Sequence, residues 1–213
     1  MTRLAEEIKK LSHDEKLREK IIKRLSDFKS FQNKPKEEWF SELCFCLLTA
    51  NSKARTAIKI QDELGAKGFC NLDENGIRQC IIDNKHRFHN NKTKFILDAR
   101  KHLDIKTRIQ NLVDEYSTYW AREWLVENIK GMGYKEASHF LRNVGYTDLA
   151  ILDRHIINLM IENNLLKEKP KTLNKKSYPE IEKKLDVLAN ELKMNHAELD
   201  LYMWFMKGGD VLK

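Results

Sequence analysis

A chain of 213 residues, 41% of them hydrophobic, can bury a core as one large domain or two small lobes, and it has no apolar run of the roughly 18 residues that a membrane-spanning helix needs. Its net charge of +7 and pI near 9.1 suit a polyanionic partner, although with 33% charged residues many of the lysines are also expected on solvated helix faces. The N-terminal stretch MTRLAEEIKKLSHDEK lacks the basic, then apolar, then small pattern of an export signal, so a cytoplasmic protein is expected.

Three prolines and eight glycines punctuate the sequence, and apolar residues recur at helical spacing almost throughout, which predicts an all-α fold. Helices are expected at 3–11, 14–31, 36–50, 53–65, 74–84, 91–103, 106–115, 119–129, 134–144, 153–164, 177–193 and 195–207. Pro35 before KEEWF, Ser177 two residues before Pro179, and Asn195 with Glu198 in capping-box spacing mark three of the starts.

In the third segment, ELCFCLL sets Cys44 and Cys46 in an apolar run, where cysteine behaves as a small buried hydrophobe; with Cys70 and Cys80 they are expected as reduced thiols. The following Asn51 suits a helix C-cap. Further on, NKHRFHNNKTK places Phe88 in a basic loop with Arg87, Lys92 and Lys94. Phe88 is either a core aromatic beneath its loop or an apolar side chain presented by it, and the cations are read as phosphate contacts or solvated charges. The polar KEKPKTLNKK segment, 167–176, is expected to be a loop or a linker between lobes.

Residues 121 to 156, AREWLVENIKGMGYKEASHFLRNVGYTDLAILDRHI, read as helix, glycine turn, helix, loop, aspartate, helix. Gly131 and Gly133 would let the turn adopt positive φ and let the backbone N–H groups of the next helix approach an anion closely. Lys135 falls in the first turn of that helix, where a cation opposes roughly half a positive charge from the aligned peptide dipoles. Asp153, after the apolar LAIL, sits where a carboxylate is favoured, and an ordinary N-cap accounts for it equally well.

GMGYKEASHFLRNVG followed by LAILDRH resembles the helix-hairpin-helix DNA glycosylase superfamily, and within it the archaeal-type (type 2) 8-oxoguanine DNA glycosylase/AP lyases. CFCLLTAN, the HRF of 86–88, IENNLLKEKPKTL, ELDLYMW and the terminal Lys213 extend the resemblance over about residues 36 to 213. It implies an all-α fold of two interleaved helical lobes with an active-site cleft, one unit spanning 1–213, and a helix-hairpin-helix motif at about 119–144. It also implies a lysine nucleophile and an assisting aspartate, which fall on Lys135 and Asp153. A lysine amine with a pKa of about 10.4 is neutral at pH 7 only a few times in ten thousand, so such a nucleophile needs roughly 4–5 kcal/mol of destabilisation of its ammonium. The helix terminus and desolvation against a bound nucleotide would supply it.

A glycosidic bond inside a stacked duplex is reached only by rotating the nucleotide out. The resemblance makes Phe88 a wedge for the resulting gap; beside it Arg87 is read as a phosphate contact or a solvated charge, and Asn51 as a contact to the opposite strand or a helix C-cap. Trp204 and His139 would stack on the base, Asp200 would accept hydrogen bonds from purine N1–H and the exocyclic amine, and Lys213 would help to tell 8-oxoguanine from guanine. Core packing, a buried histidine and a salt bridge are the competing structural readings of Trp204, His139 and Asp200.

No cysteine follows Cys80, so the four-cysteine iron–sulfur loop of related branches is not expected, and no zinc-ligand spacing occurs. The expected protein is a cofactor-free monomer that acts on double-stranded DNA containing 8-oxoguanine, without membrane association. Two alternatives stay open: a non-catalytic helix-hairpin-helix DNA-binding module, in which Lys135 is one more cation, and a glycosylase of the same fold for another base lesion.

Overall fold

The computed structural model describes residues 2–211, which form an all-helical protein. Its helices are α1 (Arg3–Ser12), α2 (Glu15–Phe31), α3 (Lys36–Thr49), α4 (Ala54–Asn71), α5 (Glu74–Asp83), α6 (His89–Ala99), α7 (Ile105–Glu115), α8 (Thr118–Asn128), α9 (Tyr134–Asn143), α10 (Arg154–Glu162), α11 (Ser177–Leu192) and α12 (His196–Gly208), with a 3-10 turn at Arg100–His102. Among the described residues no helix is long and apolar enough to cross a membrane. The chain divides into two compact units, one made of the residues up to Ser30 together with those from Leu141 onward, the other of Phe31–Phe140.

The second unit is organised around α3. Every residue from Trp39 to Thr49 is buried, the signature of a helix that is apolar on all sides and therefore enclosed by others, here α4, α6 and α7. Cys44 and Cys46 behave as the small hydrophobes their context predicts, and burial pushes the Cys44 thiol well above its usual range. Trp39 closes the core edge-on to Phe140 and donates its indole N–H to the Phe31 carbonyl at 3.1 Å.

In the first unit α1 packs on α11 and α12, and α10 packs on α12. The Asn195 side chain caps α12 by accepting from the Glu198 N–H at 2.9 Å, as its spacing predicts. The helix foreseen to end near residue 65 does break there, where Gly65 at φ 57° and ψ −179° is non-helical, and a second helical stretch of α4 runs on to Asn71. One expectation differs. Residues 167–176 are indeed non-helical but lie within the first unit, so they do not link the two units.

Candidate active site

The chemistry-bearing turn connects α8 to α9. Gly131 adopts φ +87°, and a Cβ added there would lie 2.3 Å from the Phe95 ring, so both conformation and space demand glycine. Gly133 is different from expectation: it is not in the positive-φ region, and its only close neighbour is the Glu136 carboxylate, 3.1 Å from an added Cβ. One left-handed residue suffices to reverse the chain here. The Met132 N–H closes the turn on the Ile129 carbonyl at 3.1 Å, and the first bond of α9 runs from the Ala137 N–H to the Gly133 carbonyl at 2.9 Å. The backbone N–H groups ahead of Ala137 thus have no intrahelical acceptor and form an anion-attracting end.

Arg122 of α8 fixes α9 in place. Its guanidinium is buried, donates to the Ser138 hydroxyl at 3.3 Å and lies over the rings of Tyr119 and Tyr134. Tyr134 in turn donates its hydroxyl to Glu123 at 2.8 Å, and burial raises its pKa well above the usual tyrosine range.

Lys135 is the second residue of α9, with 23% of its side chain exposed and its Nζ 3.8 Å from Glu136 Oε1. Nearby, the C-terminal carbonyls of α3 are capped by side chains that follow α5. His86 Nε2 meets the Leu48 carbonyl at 2.9 Å while its Nδ1 accepts from the Phe88 N–H at 3.2 Å, which fixes a neutral Nε2–H tautomer. Burial lowers the His86 pKa in agreement with that state. Lys92 donates to the Leu47 carbonyl at 2.6 Å. Lys92 is only 4% exposed, which overturns its reading as a phosphate contact or solvated charge: α6 turns it inward onto the end of α3.

Of the other candidates in this unit, Asn51 and Phe88 lie by the same helix end. Asn51 is exposed just beyond α3, at φ +58°. Phe88 is half-exposed at the start of α6, with the exposed Arg87 guanidinium 4.5 Å above its ring, so it is not a core aromatic. Lys94 is exposed. His139, one turn beyond Lys135, is 7% exposed and packs edge-on against Phe45 of α3 at 5.7 Å.

In the first unit Asp153 is the N-cap of α10. One carboxylate oxygen accepts from the Ile156 N–H at 2.8 Å, and among the described residues the other takes no hydrogen bond. The buried LAIL segment that delivers it is not helical, so its backbone needs partners from elsewhere. Glu182 accepts from the Ala150 N–H at 2.8 Å, and Tyr178 accepts from the Leu152 N–H at 3.0 Å and donates to the Ala150 carbonyl at 2.8 Å. Two side chains of α11 therefore hold Asp153 in register.

Trp204 is half-buried on α12, its ring 5.6 Å from that of His155 in the first turn of α10. His155 is a neighbour of the site that sequence reading passed over, although its place two residues after Asp153 was a usable signal. Lys207 of α12 pairs with Glu162 of α10 at 2.5 Å. Asp200 is 5% exposed and ion-paired with Arg142, whose guanidinium also covers the Phe28 ring at 4.8 Å. Lys213 lies outside the described residues.

The family model for 8-oxoguanine DNA glycosylases with the helix-hairpin-helix motif matches residues 21–194. The chain belongs to that family. An 8-oxoguanine DNA glycosylase/AP lyase of Methanocaldococcus jannaschii is 47% identical to it over 210 residues, 99% of each chain. One of the same name from Korarchaeum cryptofilum is 41% identical over 93% of this chain and 92% of its own. The crystal structure of the Methanocaldococcus jannaschii enzyme in complex with a 15mer DNA containing 8-oxoguanine superposes with a TM-score of 0.94 at 46% identity, covering 99% of both chains. The 8-oxoguanine DNA glycosylase of Thermotoga maritima gives 0.91 at 36%, covering 99% of this chain and 98% of its own.

Proposed function

We propose that the protein excises 8-oxoguanine from DNA and cleaves the strand 3′ to the resulting abasic site. The observation that carries this reading is Lys135, a partly exposed amine at the N-terminus of the hairpin's second helix, in a chain 47% identical over 99% of its length to an enzyme named for both activities. Lys135 Nζ, as the neutral amine, attacks C1′ of the extruded nucleoside; the N-glycosidic bond breaks and its electron pair leaves with the base, which takes up a proton. Asp153, with one oxygen holding its helix and the other without a hydrogen bond among the described residues, supports the positive charge that develops on the sugar.

C1′ then carries both Nζ and the ring oxygen O4′; Nζ gives up a proton, the C1′–O4′ bond breaks with its electron pair and a proton going to O4′, and the opened sugar is held as a Schiff base between Lys135 and C1′. Its iminium accepts electrons as a proton leaves C2′ and the C3′–O bond breaks, releasing the 3′ phosphate, and water then frees the lysine. The anion-attracting start of α9 takes a DNA phosphate, Phe88 fills the gap left in the stack, Arg87 and Asn51 lie along the backbone, and Trp204 stacks on the base. Lys213 reads the lesion. His139 and Asp200 already have structural partners, Phe45 and Arg142, and are assigned to support of the pocket wall.

Borohydride reduction on duplex with 8-oxoguanine opposite cytosine should yield a covalent protein–DNA adduct, and Lys135→Gln should abolish it. An adduct that persists in that variant would remove Lys135 from the nucleophile's role; absence of any adduct with the unaltered protein would favour a purely DNA-binding module.

A further inference from the structure

Helix α12 runs out on two adjacent glycines, and the two answer different physical demands. Gly209, at φ +68°, is the left-handed residue that stops the helix: its N–H returns to the Phe205 carbonyl at 2.8 Å, and a Cβ added there would meet nothing within 4 Å. Gly208 is the last helical residue and lies outside the positive-φ region, so neither capping nor conformation calls for glycine there. Space does. A Cβ at 208 would lie 2.9 Å from Cζ3 and 3.0 Å from Cε3 of Trp204, one turn earlier on the same helix. Cα–Cβ bonds of an α-helix lean toward its N-terminus, so a side chain at 208 would be aimed at the indole.

A second neighbour of the indole comes from α10. The His155 ring, in the first turn of that helix, stands 5.6 Å from the Trp204 ring at an interplanar angle of 59°. Asp153 caps the same turn, and Lys207, beside Gly208, pairs with Glu162 at the far end of α10 at 2.5 Å. The half-buried indole thus meets bare backbone at 208 and an imidazole at 155, on two helices that pack together within one unit. A side chain that is already held loses less conformational freedom when a ligand stacks on it than one that must first be ordered. We propose that Gly208 is a positioning residue for base recognition: its missing side chain lets the Trp204 indole rest against His155, on the helix that Asp153 caps, as a preformed platform for the extruded purine.

Glycine is otherwise unfavourable within a helix, because it gives up the most chain freedom and alanine is the better helix former. An idle position 208 would accept alanine with the helix strengthened and base excision unchanged.

This assignment rests on the proposed stacking of Trp204 on the base, and the experiment reads the ring and the reaction separately. In protein labelled with fluorotryptophan, the fluorine NMR signal of Trp204 is identified by its loss in Trp204→Phe; Gly208→Ala should shift that signal and leave those of Trp39, Trp120 and Trp124 in place. On duplex DNA, Gly208→Ala should lower single-turnover excision of 8-oxoguanine by about tenfold or more. Borohydride trapping on a preformed abasic site, which offers no base to stack, should stay within about twofold. In a Trp204→Ala background the same substitution should have no further effect on excision. An unmoved Trp204 signal overturns the proposal, as does unchanged excision beside a moved signal, or an equal loss of excision and trapping in a folded protein. If Gly208→Ala does not fold, His155→Ala takes its place, and excision undiminished relative to trapping overturns the proposal equally. Excision unaffected by Trp204→Ala, with the signal of Gly208→Ala still moved, would instead take Trp204 off the base and overturn the stacking reading itself.

Discussion

Asp153 shows how one side chain can satisfy two demands at once. Its Oδ1 performs the N-cap bond that any aspartate at a helix start performs, and the second oxygen is left for chemistry. The two roles can be separated, because asparagine caps a helix about as well as aspartate but carries no charge. Asp153→Asn should therefore melt close to the unaltered protein while losing most base excision. Asp153→Ala should lose about 1 kcal/mol of stability as well, from the missing cap. Paired thermal melts and single-turnover excision assays check this; full excision by a stable Asp153→Asn would confine Asp153 to capping. At this scale Lys135 and Asp153 were legible because each stands at a fixed distance from a glycine turn or an apolar run along the chain. Lys92 and His155 were not, since what they meet, the Leu47 carbonyl and the Trp204 ring, lies on other helices.

Among the elements, the hairpin turn depends on one glycine more than on the other. A side chain at Gly131 must adopt φ +87° and also displace the Phe95 ring from 2.3 Å, whereas one at Gly133 meets only the movable end of Glu136. Gly131→Ala should cost about 2 kcal/mol or more and weaken DNA binding together with stability. Gly133→Ala should cost well under half as much, as read by denaturant unfolding; equal losses would mean that the turn is not held by the α6 contact. The two glycines look alike in sequence, and only the approach of Phe95 from another helix tells them apart. Helix positions, by contrast, were readable nearly throughout, because a 3.6-residue apolar period and caps such as Asn195 act within a few residues of chain. At α4 the break at Gly65 was readable for the same reason, whereas the second helical stretch, which buries Gly68 and Phe69, was not foreseen.

For the molecule as a whole, a net charge of +7 describes affinity for a polyanion but not where the polyanion lies. The structure sorts the cations near the site into kinds. Arg87 is exposed above Phe88, while Lys92 is sealed inside, although the two are five residues apart in one basic loop and helix. Binding to undamaged duplex should weaken linearly with the logarithm of salt concentration. Arg87→Ala should reduce the magnitude of that slope by roughly 0.9, the share of one phosphate contact, and Lys92→Met should leave it unchanged. A slope altered equally by both substitutions would place Lys92 on the DNA.

What the sequence determined by itself was the helical period, the glycine turn with its lysine, and the aspartate that follows an apolar run, all features written within short windows of the chain. The tertiary structure alone decided that Phe95 makes Gly131 irreplaceable, that Tyr178 and Glu182 hold Asp153 in register, and that Lys92 turns inward onto the end of α3. Those are contacts between segments separated by tens of residues, where burial and the direction of a side chain, rather than its type or spacing along the chain, decide what it meets.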